Sequence, residues 1–180
     1  MYRYYLLPSL RSLLGIAALI GALLFSSPAD AAESVVLKYR FLRETVSVAE
    51  LSTFAETGEL SSSLRAYLKL AGKEPEALRN ALTQETQVNG ILLSRILNSP
   101  VGEVMLDRAS EVIHTPSDRA NRESLRSALV LSALPDNSLT LIEVLENYPT
   151  PDVEVEADRL LEIVKYIRRV IGNLPSLPLF

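Results

Sequence analysis

Acid–base or nucleophilic chemistry in this chain would depend on His114, which is the one histidine among its 180 residues. The sequence contains no cysteine, so it offers no thiolate nucleophile, no disulfide and no thiolate zinc site. It also lacks the G-x-S-x-G pattern that presents a nucleophilic serine between a strand and a helix. We therefore predict no catalytic residue, no metal site and no cofactor. We expect His114 to interact with the C-terminal end of the helix before it.

An acidic stripe lies directly before this histidine in the sequence. Glu103, Asp107, Glu111 and His114 follow one another at intervals of four, four and three residues, which places them on one face of a helix. The last two form the E-x-x-H pattern of di-iron helical bundles, but such a site needs that pattern twice. With a single histidine the site cannot be completed, so the stripe is interpreted as the solvated face of an amphipathic helix.

A basic stripe follows at Arg119, Arg122 and Arg126, again at helical spacing. We expect these arginines to pair with the acidic stripe of a neighbouring antiparallel helix. Together with the terminal residues Leu179 and Phe180, they form the predicted interaction surface. The net charge of −4 gives no basic field of the kind that nucleic-acid binding requires, and no nucleic-acid partner is expected.

Residues 1–31 have the pattern of an export signal. Arg3 and Arg11 supply positive charge, and the run Leu13–Phe25 contains 13 residues without a charged side chain. Ala29 and Ala31 provide the small residues that signal peptidase recognises, so cleavage is predicted after Ala31. The run is shorter than the roughly 20 apolar residues of a membrane span. We expect export to the periplasm, the thylakoid lumen or the outside, with an uncleaved membrane anchor as the alternative.

The remaining chain is predicted to be one compact, mainly α-helical domain over residues 32–172 with a small N-terminal β-hairpin. A Pro/Leu-rich tail occupies 173–180. In the run Ser34–Leu42, a period of two indicates a half-buried strand. The apolar residues Leu37, Tyr39 and Phe41 fall on one face, and the basic residues Lys38 and Arg40 fall on the other. We expect this run to pair with Thr45–Val48 across a turn at Arg43 and Glu44.

Capping patterns and apolar stripes predict the helices. Serine or threonine followed three residues later by glutamate forms a capping box, and the sequence contains this pattern at Ser47–Glu50 and at Thr140–Glu143. Pro75 is placed for the first turn of another helix. The clearest apolar stripe covers about residues 157–171, where aliphatic residues recur at helical spacing.

Four segments of the chain resemble one family. They are Ser47–Glu59, Leu92–Glu103, Thr115–Leu129 and Leu141–Val153, and the similarity extends over about residues 33–165. They are similar to the cyanobacterial domain of unknown function that precedes the catalytic domain of exported α/β-hydrolases. In that family the following hydrolase domain carries the serine, the acid and the histidine. The resemblance therefore implies a stand-alone copy of the accessory region, and no catalytic residue is carried over from it.

These features predict an exported, non-catalytic interaction module that docks on an α/β-hydrolase or another envelope protein. The high aliphatic content leaves an alternative open, a small carrier whose helices enclose a lipid or acyl chain. A third hypothesis is a part of a hydrolase that is active only in a complex. The partner would accordingly be a protein or a lipid.

Overall fold

A four-stranded mixed sheet forms the centre of the fold in the computed structural model, which describes residues 31–172. Strands β1 (Ser34–Tyr39) and β2 (Leu42–Ser47) form an antiparallel hairpin. Strand β6 (Asp152–Glu156) pairs with β1 in parallel, and the two-residue strand β4 (Ile113–His114) pairs with β6 in antiparallel orientation. The spatial order is β2-β1-β6-β4. Strands β3 (Thr86–Gln87) and β5 (Ser138–Leu139) form a separate antiparallel pair.

The prediction of a mainly α-helical domain with a small hairpin is therefore wrong, because the described chain has an α/β fold. The error lies at β4 and β6. Ile113 and His114 were predicted to end or follow a helix, but that helix ends at Ser110. The run between Pro151 and the last helix was assigned no element, and it contains acidic residues, a type that is depleted in strands. Its Val153 and Val155 nevertheless alternate with acidic residues at the period of two that a strand requires.

The hairpin itself is confirmed, but its turn is displaced from the predicted position. Tyr39 pairs with Leu42, so the turn consists of Arg40 and Phe41, and Arg43 lies within β2 opposite Lys38. Arg40 adopts a left-handed backbone with φ 56°, which is uncommon for a residue that is not glycine. The absence of glycine and asparagine at this turn explains why the sequence pattern did not locate it.

The described part of the chain also contains eight helices. They are α1 (Val48–Thr57), α2 (Ser62–Ala71), α3 (Pro75–Thr83), α4 (Gly90–Leu97), α5 (Pro100–Ser110), α6 (Asn121–Ala133), α7 (Leu141–Glu146) and α8 (Leu160–Gly172). Both predicted capping boxes are confirmed, at the starts of α1 and α7. Pro75 opens α3 as expected. No helix among residues 31–172 is long and apolar enough to cross a membrane.

The apolar core lies against one face of the sheet. Side chains that alternate along β1 and β6 point to opposite faces. Val35 and Leu37 of β1, opposite Val153 and Val155 of β6, are buried in the main hydrophobic cluster with residues from the helices. The other face of the same strands carries polar and charged side chains around the buried Val36.

Candidate functional site

The outer face of the sheet gathers charged residues from all four strands. Glu154 of β6 lies directly opposite His114 of β4, and Glu156 lies opposite Lys38 of β1, which in turn lies opposite Arg43 of β2. Directly paired residues share a face, so these five side chains meet on one surface. We call them the outer-face cluster.

Glu154 is the centre of the outer-face cluster. It is only 6% exposed, and its carboxylate forms salt bridges with Lys38 and with Arg43. Burial acts to raise the pKa of Glu154, but the hydrogen bond from Lys38 and the nearby positive charges outweigh it and hold the pKa below its usual value. Glu154 is therefore an ionised, paired carboxylate at neutral pH and does not have the raised pKa of a general acid.

Lys38 joins the two carboxylates of β6. Its Nζ contacts Glu154 and lies 3.2 Å from Oε1 of Glu156. The hydrogen bond to Glu154 raises the pKa of Lys38, and Glu156 adds to this rise against the opposing effect of burial. A lysine that stays protonated in this way does not act as a nucleophile or as a base.

His114 faces the same carboxylates and does not cap a helix, so the expectation of a helix-end contact is wrong. Its Nδ1 is 3.1 Å from the carbonyl oxygen of Thr115 and 3.9 Å from Oε2 of Glu154. Its Nε2 is 3.5 Å from Oε1 of Glu156. Within residues 31–172, no hydrogen bond joins this ring to a hydroxyl group. Among the described residues the imidazole thus has two carboxylates beside it and no hydroxyl group bonded to it.

Ser47 occupies the kind of position where a nucleophilic serine would be expected, between strand β2 and helix α1. Its backbone is extended, with φ −68° and ψ 148°, and carries none of the strain of a nucleophile elbow. Its Oγ accepts from the amide of Glu50 at 3.1 Å and donates to the Glu50 carboxylate at 3.1 Å. Both hydroxyl functions are used in capping the helix.

The acidic stripe is divided among three environments. Glu103 and Asp107 project from α5, Glu111 caps that helix, and His114 has turned away into β4. Arg159 binds Glu111 at 2.7 Å. Over the described residues, no group of three or more histidine, cysteine, aspartate or glutamate side chains is arranged to hold a metal ion.

The basic stripe is divided as well. Arg122 pairs with Asp107 at 2.8 Å and Glu103 at 3.5 Å, which confirms the expected pairing for this residue. Arg126 donates from Nε to the carbonyl oxygen of Leu97 at the end of α4, at 3.1 Å. Two of the three arginines therefore already have partners inside the chain.

Arg119 does not lie on the helix, which begins only at Asn121. Thr115 donates from Oγ1 to the carbonyl of Arg119 at 2.9 Å and to Oδ1 of Asn121 at 2.8 Å, and these bonds hold the chain in a loop before α6. Ala120 has a left-handed backbone with φ 52°. Ala29, Leu179 and Phe180 lie outside the described residues, and Ala31 is exposed. Whether any of these residues acts in cleavage or binding stays a prediction.

The sequence pattern missed the most exposed large apolar side chain of the described chain. Phe41 was expected on the buried face of the first strand with Leu37 and Tyr39. The turn instead places it at the tip of the hairpin, where it is 90% exposed. Arg40 lies beside it and is also exposed. We call Arg40 and Phe41 the hairpin tip.

The fold defines an α/β protein, and its outer-face cluster gives no sign of a hydrolytic site. The chain belongs to the family described as "Alpha/beta hydrolase of unknown function (DUF1400)", whose pattern matches residues 31–156. The match ends with β6, so α8 lies outside it. The predicted link to α/β-hydrolases of unknown function is confirmed, whereas cyanobacterial origin and a place before a catalytic domain stay predictions. Neither a curated protein nor a solved structure matches the chain.

Proposed function

We propose that this chain is a non-catalytic accessory module that docks on an α/β-hydrolase catalytic unit. One observation carries the proposal. The only imidazole of the chain, His114, is held beside two carboxylates and a backbone carbonyl, with no hydroxyl nucleophile bonded to it among the described residues. A carboxylate beside an imidazole also occurs in Ser-His-Asp triads, so the missing feature among the described residues is a hydroxyl group bonded to the ring.

The hairpin tip supplies the side chains that docking needs. Aromatic residues and arginine are enriched among the residues that dominate binding energy at protein interfaces. Phe41 is almost fully exposed, and Arg40 stands next to it on the same two-residue turn. The antiparallel pairing of β1 and β2 holds this turn on a rigid base, so docking there requires little ordering of the chain.

The family supports the choice of partner. The pattern that matches residues 31–156 is described as that of an α/β-hydrolase of unknown function, while the described residues lack a nucleophile bonded to a base. A module that works together with a separate hydrolytic unit accounts for both findings. Residues 1–31 have the pattern of an export signal, so we place this pairing in the periplasm, the thylakoid lumen or the outside.

Affinity capture from native envelope extract tests the docking proposal. The full chain carries a tag, and bound proteins are identified and quantified by mass spectrometry. We expect recovery of an α/β-hydrolase that has its own serine, acid and histidine. Phe41→Ser should reduce that recovery at least tenfold, since hot-spot aromatics contribute about 2 kcal/mol or more. Ile91→Ser is the matched control, because Ile91 is another exposed large apolar residue, on α4.

A hydrolysis assay tests the non-catalytic part of the proposal. The purified chain is incubated with short p-nitrophenyl esters, and we expect release of p-nitrophenol at the rate of buffer alone. His114→Gln should behave like the original chain. Turnover that is lost in His114→Gln would overturn the proposal, as would equal hydrolase recovery with Phe41→Ser and with the unsubstituted chain.

A further inference from the structure

An apolar cavity of about 100 Å³ lies behind the sheet, between the end of β1, helices α2 and α3, and the start of α8. Its walls are aliphatic and aromatic, and include Leu37, Tyr67, Leu68, Ala77, Leu78 and Leu160. The cavity is distinct from the outer-face cluster, because Leu37 and Lys38 project to opposite faces of β1. Nothing in the docking proposal uses it.

Two cations lie near the ring of Tyr39, which lines this cavity. The Tyr39 ring lines the cavity, with Nζ of Lys73 at 5.0 Å and Cζ of Arg40 at 5.5 Å from its centroid. Both distances fall within the range of cation–π attraction. Lys73 also lines the cavity, and Asp158 contributes one opposing carboxylate. The cavity therefore has one positive charge, Lys73, and one negative charge, Asp158, beside an apolar interior, with Arg40 close to the Tyr39 ring.

One of the side chains that line the cavity, Tyr67, has a buried hydroxyl group without a hydrogen-bond partner among the described residues. Tyr67 is only 6% exposed, and its hydroxyl has no hydrogen-bond partner among the described residues. Burial, with smaller contributions from Glu44, Asp158 and Tyr39, raises the pKa of Tyr67 to about 12. The hydroxyl keeps its proton at neutral pH and is available as a donor. A buried donor without a partner is uncommon in folded proteins, and binding sites are one setting where it occurs.

We propose that this cavity binds the alkyl end of a medium-chain fatty carboxylate, with the carboxylate at the rim beside Lys73. An apolar pocket with a few polar groups at one end is the usual form of a small-molecule site. A dry cavity of about 150 Å³ holds one benzene molecule, so about 100 Å³ accommodates roughly four carbon atoms. Ala81 also lines a second apolar cavity of about 50 Å³ beneath α8.

Two kinds of ligand combine an alkyl chain with a negative charge, a free fatty acid and an anionic membrane lipid. Isothermal titration calorimetry of the full chain separates them. The probes are sodium octanoate, octanol with the same chain length and no charge, and phosphatidylglycerol vesicles. We expect saturable binding of one octanoate, weaker binding of octanol, and no binding of vesicles. Binding of vesicles without binding of octanoate would overturn the free-acid assignment, and absence of binding to all three would overturn the site.

Two pairs of variants locate the site. Lys73→Gln removes the rim charge and should weaken octanoate binding about fivefold while leaving octanol binding unchanged, since an exposed ion pair contributes modestly. Lys69→Gln, an exposed lysine of α2 that does not line the cavity, is its control. Ala77→Phe fills the cavity from α3 and should abolish binding of both probes.

Ala66→Phe, at an exposed helical position away from the cavity, controls for the bulk of the new side chain. Circular dichroism confirms that each variant is folded before titration. If octanoate affinity were equal in the original chain, in Lys73→Gln and in Ala77→Phe, the carboxylate would bind elsewhere and the proposal would be wrong. The outcome does not depend on hydrolase recovery, so the ligand and docking proposals fail separately.

Discussion

The two faces of the central sheet are built from the same strands but are held together by different forces. On the inner face, Leu37 and Val155 pack side by side in the hydrophobic core. On the outer face, Lys38 and Glu156 occupy the next pair in the register and form an ion pair. Burial of apolar side chains away from water stabilises the inner face, whereas salt bridges between charged side chains hold the outer face together.

This contrast decides where each function is proposed. The charges of the outer face neutralise one another, so that surface has little left to offer a ligand. The inner side has an imperfectly filled apolar space whose rim reaches solvent at Tyr39. The proposals therefore assign a structural role to the ionised cluster and a binding role to the apolar space behind the sheet.

The inner face should be the more sensitive of the two to substitution. Leu37→Ala removes a side chain that is buried in the core and lines the apolar cavity. We expect the free energy of unfolding in urea to fall by about 2–5 kcal/mol, from lost burial and an enlarged cavity. A loss no larger than that of Glu154→Gln would contradict the contrast between the two faces.

On the outer face, Glu154→Gln should lower the free energy of unfolding by less than Leu37→Ala does. The substitution keeps the shape of the side chain but removes the charge that pairs with Lys38 and Arg43. We expect a loss of about 1–3 kcal/mol, because both cations remain without a carboxylate at the centre of the cluster. Glu59→Gln, at an exposed position, is the control and should change the free energy of unfolding by less than about 0.5 kcal/mol.

A substitution at the junction between the sheet and α1 should lower the free energy of unfolding by less than either of these changes in the sheet. Ser47→Ala removes the hydroxyl that caps α1 and bonds Glu50. The expected cost is about 1 kcal/mol, the typical value for loss of an N-cap side chain. Ser62→Ala, at the exposed first position of α2, should cause no loss. Equal effects of the two substitutions on the urea midpoint would show that the capping box is not stabilising.

Acid should weaken the outer face selectively, and this is the smallest expected effect. The pKa of Glu154 is lower in the folded chain than its ordinary value of 4.5, so the unfolded chain binds this proton first. The contribution of Glu154 is therefore fully present above about pH 4.5 and is lost as the pH falls through its folded pKa. Urea titrations between pH 7 and pH 3 should show a steeper fall for the original chain than for Glu154→Gln. If the free energy of unfolding fell equally with pH in the original chain and in Glu154→Gln, the predicted role of the Glu154 charge would be contradicted.

Local signals in the sequence located most of the helices but not the sheet. The capping boxes of α1 and α7, and Pro75 at the start of α3, depend on contacts within three or four residues, so their patterns can be read directly. Strand β4 has only two residues, too few to show any period. Strand β6 shows a period of two, but its partner β1 is remote in sequence. Local patterns carry no information about that pairing.

The candidate sites depended even more on the tertiary structure. The outer-face cluster joins Lys38 to Glu156 across 118 positions of the chain, and the cavity joins β1, α2, α3 and α8. Spacing along the chain could suggest only the E-x-x-H pair and the arginine stripe. The contact between Arg122 of the arginine stripe and Asp107 could be predicted because α5 and α6 are consecutive helices along the chain.

The sequence by itself determined the absence of thiol chemistry and the single imidazole, because both follow from residue type. It also determined the caps of α1 and α7 and the presence of a hairpin, because these depend on residues that are close together along the chain. The tertiary structure alone decided that β6 enters the sheet parallel to β1. That pairing positions Glu154 between Lys38 and His114 and places the cavity behind Leu37. The physical reason is that strand pairing and core packing are set by long-range burial and register, which only the folded chain establishes.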